Sequence, residues 1–276
     1  MRWSGVAVLC VMVGACSVEA ASPDTWARFR VPVAGPAAAI GSPAAGCLSG
    51  AVALPPEGDG YQALRLERNR FYGHPRTVAF VRDLGVAASA ERLGTLLVGD
   101  LSQPRGGPMA YGHGSHQTGL DVDIWFRLVE RPLPPAEREA PRGLSMVKGG
   151  DIDPAAWTPG HLRLLEIAAS HPEVDRIFVN PAIKAEACRL AAGDRAWLGK
   201  LRPWWGHDEH FHVRLSCPPD DPGCVAQKPV PEGDGCGGEL ASWKGKPTIL
   251  PAGDKPNRRR PVLPAACGRL VDVKTR

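Results

Sequence analysis

The chain is poor in aromatic residues, which make up 6% of its 276 positions. Nowhere does it hold the run of roughly 20 apolar residues that a membrane helix requires. No CxxC pair occurs, which argues against a cysteine zinc site. An HExxH helix, a GxSxG elbow, a P-loop and a Rossmann glycine turn opening a βαβ unit are also missing. These absences disfavour zincin, serine-hydrolase and nucleotide-binding chemistries. The formal net charge is a mild +4, giving no ground to expect a nucleic-acid partner. What is present, 43% hydrophobic and 22% charged residues, suits a globular protein with one large core.

The first residues, MRWSGVAVLCVMVGAC, combine one Arg with an apolar run from Val6 to Ala15. That pattern reads as a secretory signal over residues 1–20, too short to span a bilayer, and predicts export to the periplasm. An ordinary cut near Ala20 or Ala21 competes with a lipoprotein-type cut before Cys16, which would leave a lipidated cysteine. Beyond the signal lie Cys47, Cys188, Cys217, Cys224, Cys236 and Cys267. An even number of cysteines in an oxidising compartment predicts disulfides, though spacing does not choose among the pairings.

From about Thr25 to Gly60 the sequence is rich in Pro, Gly and Ala and reads as an irregular wrapping segment. Apolar spacing predicts a helix over 74–84, another in WTPGHLRLLEIAAS with Thr158 before Pro159, and a third in PAIKAEACRLAA. Strands are expected at TLLVGDL, LDVDIWF, VDRIFVN and HFHVRLS. Residues 218–276 are loop-rich, and their three cysteines predict that they are strapped to the core. The run Arg258–Arg260 reads most simply as a solvated patch, with weak attraction to an acidic polymer as the alternative. Together these features predict an α+β fold with a central antiparallel sheet, flanking helices and pinned irregular ends, as one domain over 21–276.

Five of the eight histidines fall in two clusters, GHGSH (His113, His116) and GHDEHFH (His207, His210, His212). His74, His161 and His171 stand alone and read as packing or surface residues. Alternate residues of a strand share a face, so His210 projects with His212, and Asp121 with Asp123. If the two strands are neighbours, His212 and Asp123 converge and His116 folds back as a third ligand. Two imidazoles and a carboxylate suit Zn²⁺ with an open position, the arrangement of a catalytic site. His210 is then positioned to take a proton from an attacking water.

GHGSHQTGLDVDIWF and PWWGHDEHFHVRLSCP resemble the penicillin-insensitive murein endopeptidases, zinc peptidases of the lysostaphin, D-Ala-D-Ala metallopeptidase and Hedgehog group. The resemblance extends to IGSPAAGCLSGA, RFYGHP, RIFVNPAIK, GDGCG and all six cysteines. It implies zinc ligands at His116, Asp123 and His212, a base at His210, and further active-site histidines at His113, an extra metal ligand, and His207, which would bind the oxyanion or steer water, or equally orient a metal ligand. It also implies the disulfides Cys47–Cys267, Cys188–Cys236 and Cys217–Cys224. The implied reaction is hydrolysis of D-alanyl to meso-diaminopimelyl cross-links in peptidoglycan, insensitive to penicillin because no acyl-serine forms. The loop SMVKGGDIDPAAW offers Asp151 and Asp153 but no His for a second metal. Trp204 and Trp205 are candidates for the cleft wall or the core, and Asn180 for substrate binding or turn capping. The oligomeric state stays open, with a homodimer as one option.

Overall fold

The structure is a computed structural model describing residues 22–246 and 262–272. The expected signal segment, both cleavage points and Arg258–Arg260 lie outside the described residues.

Strand Asp121–Trp125 forms because Val122, Ile124 and Trp125 are β-favouring and the run alternates. It pairs antiparallel with His210–Leu215 in the register Asp121↔Arg214, Asp123↔His212 and Trp125↔His210. Residues directly opposite share a face, so this register puts Asp121, Asp123, His210, His212 and Arg214 on one side. Val122, Ile124, Phe211 and Val213 lie on the other, fully buried.

These two strands are the middle of a seven-stranded sheet. Its order is Leu201–Pro203, Val174–Val179, His210–Leu215, Asp121–Trp125, Leu96–Val98, Tyr61–Ala63, Glu57–Gly58. The fold is α+β as expected. The pairings that flank the site are antiparallel, but Val174–Val179 with Leu201–Pro203 and Tyr61–Ala63 with Leu96–Val98 are parallel, so the sheet is mixed.

Helices Pro75–Ala90 and Pro159–Ser170 press Phe80, Val81, Leu84, Leu164, Leu165 and Ala168 into the same core as the sheet's apolar face. Both carry proline at the first helical position, where the missing N–H costs nothing. Thr158 and His161 close a capping box, and the His161 Nε2–H donates to the Phe126 carbonyl at 2.9 Å. His74 caps the other helix by accepting from Arg76 N. His74 and His161 are therefore structural, as expected. The first of these helices runs to Ala90, past the expected end at residue 84, and Gly85 within it lets the Asp59 carbonyl of a distant segment approach closely.

The stretch expected to be irregular contains a hairpin, Ala38–Ser42 with Ala45–Ser49. Its small residues mask the strand pattern. A Cβ on Gly46 would overlap the Ile40 carbonyl and the Thr118 methyl, so the close approach requires glycine. This hairpin buttresses the loop that carries His116: Gln117 N donates to Pro43 O at 3.2 Å, Gln117 Nε2 donates to Ala44 O at 2.9 Å, and Gly46 N donates to Gln117 Oε1 at 3.1 Å.

The three disulfides are Cys47–Cys267, Cys188–Cys236 and Cys217–Cys224. The first fixes a short helix, Ala265–Val271, beside Trp26, with Cys47 and Cys267 fully buried. The loop-rich C-terminal segment is thus tied to the rest of the chain at all three of its cysteines.

Candidate metal centre and active site

Asp123 is buried, and four imidazoles surround it. Its Oδ1 lies 3.4 Å from His116 Nε2, 3.5 Å from His212 Nδ1 and 3.8 Å from His210 Nε2, while Oδ2 lies 3.6 Å from His113 Nδ1. The rings of His113 and His116 are 4.3 Å apart between centroids, and those of His116 and His212 are 4.5 Å apart. His113, His116 and Asp123 offer ligand atoms within 4.8 Å of one another and could hold a metal ion. Among the described residues, Asp151 and Asp153 form no such group; Asp153 instead accepts from Ala155 N.

The tautomers follow from the partners. A carbonyl only accepts, so the His116 Nδ1–H donates to Leu101 O at 2.6 Å, leaving Nε2 with a bare lone pair. That Nε2 and Asp123 Oδ1 are both buried without a hydrogen-bond partner. Such orphaned atoms are costly unless something electropositive fills the gap, so this donor set fits a bound cation. Likewise, the His212 Nε2–H donates to Asp121 Oδ1 at 2.8 Å, turning Nδ1 toward Asp123.

Two carboxylates not anticipated as parts of the site hold it in shape. Asp121, fully buried, accepts from His212 Nε2 and Arg214 Nε (2.6 Å) on Oδ1, and from His116 N (3.0 Å) on Oδ2. One carboxylate therefore fixes both a histidine ring and the backbone of another. Asp100 accepts from His113 Nε2 at 3.0 Å and from Arg70 at 3.0 Å. His116 has φ +65°, a left-handed conformation uncommon for a non-glycine, and the Asp121 bond to its N–H helps to hold it.

Charge and burial set the protonation states. Burial pushes the His212 imidazole down to about 3, outweighing the pull of Asp121. Burial also opposes charge on His116, but the Asp123 carboxylate overrules it and raises that imidazole, an attraction for positive charge at Nε2 that a proton or a bound cation would satisfy. Asp123 is held well below the usual carboxylate range: burial alone would raise it, and His210, His116 and His113 prevail. Asp100 falls to about 2 because its His113 bond and Arg70 outweigh burial.

His207 is left-handed too, with φ +53°. Its Nδ1–H donates to Trp205 O at 2.7 Å, and burial pushes the ring down to about 4, so at neutral pH Nε2 accepts and does not donate. Asn180 caps helix Pro181–Leu190 through Ala182 N, and its Nδ2 donates to Gly206 O at 3.0 Å; it is buried and steadies the His207 loop. The capping reading of Asn180 therefore holds, and burial excludes it from substrate. Trp204 is 46% exposed, which rules out the core for that residue. It packs edge-on against Phe178, whose ring also meets His212 at 5.3 Å.

Comparison with known proteins gives a consistent result. The family model for penicillin-insensitive murein endopeptidase matches residues 39–272. The chain is 46% identical to the Haemophilus influenzae protein of that name, over 93% of this chain and 91% of the relative. It is 43% identical to the proteins of that name from Yersinia enterocolitica, over 98% of this chain and 97% of the relative, and from Salmonella paratyphi C, over 99% and 98%.

Proposed function

The chain belongs to the penicillin-insensitive murein endopeptidase family, and on that premise we propose that it is a zinc enzyme cutting D-alanyl to meso-diaminopimelyl cross-links of peptidoglycan. In this reading His116, Asp123 and His212 hold the zinc, with His113 as a further ligand. The observation that carries the proposal is the pair of orphaned, buried atoms, His116 Nε2 and Asp123 Oδ1, within a ring of four imidazoles.

Zinc at this position supplies Lewis acidity toward the scissile carbonyl and acidifies water. His210, whose side chain is 29% exposed and 3.8 Å from Asp123, takes the proton of the attacking water. His207, neutral and with its Nδ1–H already donated, accepts from that water and steers it; its expected alternative, donating to the oxyanion, would need a second proton on the ring. Asp121 keeps the His212 tautomer and the His116 backbone in register. No serine or cysteine takes part, so a β-lactam finds nothing to acylate, in line with the name the relatives carry.

We read residues 21–276 as one metallopeptidase domain exported to the periplasm, where the three disulfides are stable. The test is chromatography of cross-linked muropeptide dimers incubated with the mature enzyme. Dimers should become monomers, the conversion should stop with a chelator, and zinc should restore it. Conversion that is indifferent to chelation, or no cleavage at any zinc concentration, refutes the proposal.

A further inference from the structure

Beside the metal centre lies a group of arginines that the reaction as described does not use. Residues Leu66–Arg68 form a single 3₁₀ turn, bracketed by Arg65 at φ +53° and Asn69 at φ +57°, both left-handed and neither a glycine. Such conformations persist when the surroundings hold them, and here Leu66 N donates to Glu139 at 2.8 Å and Arg65 N donates to Arg138 O at 3.0 Å. The turn leaves Arg65 and Arg68 near enough for each charge to be felt by the other.

Each arginine is one residue removed from a histidine of the site. Arg65 lies over the Trp125 ring at 4.9 Å, and Trp125 shares a sheet face with Asp123 and stands opposite His210. Gly99 lies beneath both: a Cβ there would be 3.3 Å from Asp123 Cβ and 3.0 Å from the Trp125 indole nitrogen. Arg68 is 3.3 Å from Asp100, which in turn binds His113 at 3.0 Å.

Their partners are incomplete. Arg70, which is buried, meets the same Asp100 oxygen at 3.0 Å and donates to Tyr111 O. Arg68 is left with one long polar contact to that shared oxygen, a guanidinium 5.9 Å from the Tyr111 ring centroid and a side chain 31% exposed. Arg65 has no side-chain hydrogen bond or ion pair among the described residues; Trp125 covers one face of its guanidinium and leaves the N–H edge unused. By contrast, Arg138, Arg195 and Arg214, also at least half-buried, each have a carboxylate within 3.0 Å. Burial, and then the neighbouring Arg68, make charge on Arg65 less favourable, against the weaker pull of Asp100 and Glu209.

We propose that Arg65 and Arg68 form a carboxylate-binding subsite beside the metal centre, which takes a free carboxylate of the substrate peptide close to the scissile amide. This rests on the murein-peptide reading above. The guanidinium fork matches a carboxylate in two parallel hydrogen bonds, and a half-buried pair excludes the water that would otherwise compete. The subsite selects for peptides that keep that carboxylate free and orients the bond relative to His210.

The test compares two muropeptide dimers that differ only in whether the carboxylate next to the scissile amide is free or converted to a primary amide. The wild-type enzyme should prefer the free acid by roughly tenfold or more in kcat/KM, the range of a charged hydrogen bond. Arg65→Ala and Arg68→Ala should each shrink that preference, through KM, with zinc content and melting temperature monitored alongside. Arg65→Lys, which keeps the charge but loses the fork, should fall between. A preference of one in the wild type, or one that survives both alanine variants, overturns the subsite alone. Failure of the wild type to cut either dimer instead removes the underlying reading, and the subsite with it.

Discussion

Replacing Asp121 by asparagine isolates the carboxylate that joins the two histidine motifs. Oδ1 accepts from His212 Nε2 and Arg214 Nε, while Oδ2 accepts from His116 N. An amide has one oxygen, so whichever way the substituted side chain turns, its NH₂ confronts a donor. If the oxygen stays with His212 and Arg214, the His116 N–H loses its partner and the left-handed ligand loop loosens; if it turns, the His212 ring is freed. Loss of such a supporting group typically costs about 10–100-fold in metal affinity, or roughly 1.4–2.8 kcal/mol. Arg214 also loses its buried counter-charge, but its bond to Gln227 at 2.7 Å survives. The stability cost should therefore lie at or below the low end of the roughly 3–5 kcal/mol seen when a buried pair is broken. Zinc affinity by competition with a chromophoric chelator, and urea midpoints in excess chelator, read the two effects separately. Affinity within twofold of wild type would refute the argument that Asp121 organises the ligands.

Other expectations follow from the same geometry. His210→Ala should retain zinc and lose roughly 10²–10⁴ in kcat, the usual worth of a positioned base; a variant that loses the metal as well would make His210 a ligand instead. Breaking Cys47–Cys267, which spans 220 residues, should destabilise by about 5 kcal/mol in the chain-entropy picture, against about 2 for Cys217–Cys224, which spans 7; equal losses in denaturation midpoints would contradict it. Lys184 is fully buried, donating to Leu198 O and Asp234 O, and burial brings it down from 10.5 to about 8. The unfolded chain then binds more protons between pH 8 and 10.5, so stability should rise with pH across that window, by on the order of 3 kcal/mol. Lys184→Met should abolish that slope, and identical slopes in the two proteins would rule the effect out.

The convergence of His116, Asp123, His210 and His212 was legible because strand alternation and a seven-residue spacing are local properties, and pairing the two strands needs one assumption. Asp121 was visible as a face-mate of Asp123, but its role depends on the register that sets it opposite Arg214, and no local pattern carries that register. Asp100 and Arg70 are recruited from a loop and a distant segment, so only the fold brings them to His113. The hairpin at 38–49 was hidden by alanine and glycine, whose strand signal is weak, although a buried Gln117 three residues after Gly114 in the same motif binds it. Helix Ala265–Val271 was likewise missed within a proline-rich stretch, where its apolar contacts come from Cys47 and Trp26 at the other end of the chain. Tyr61–Ala63 and Leu201–Pro203, three residues each, are too short to show a strand pattern, so the parallel pairings they make were not anticipated.

The central claim is that His116, Asp123 and His212 close around a single zinc ion. An anomalous-difference map of zinc-soaked crystals tests it most directly. The account predicts one dominant peak within bonding distance of His116 Nε2, an Asp123 carboxylate oxygen and His212 Nδ1. A peak elsewhere in the molecule, or none at this cluster at saturating zinc, would contradict it.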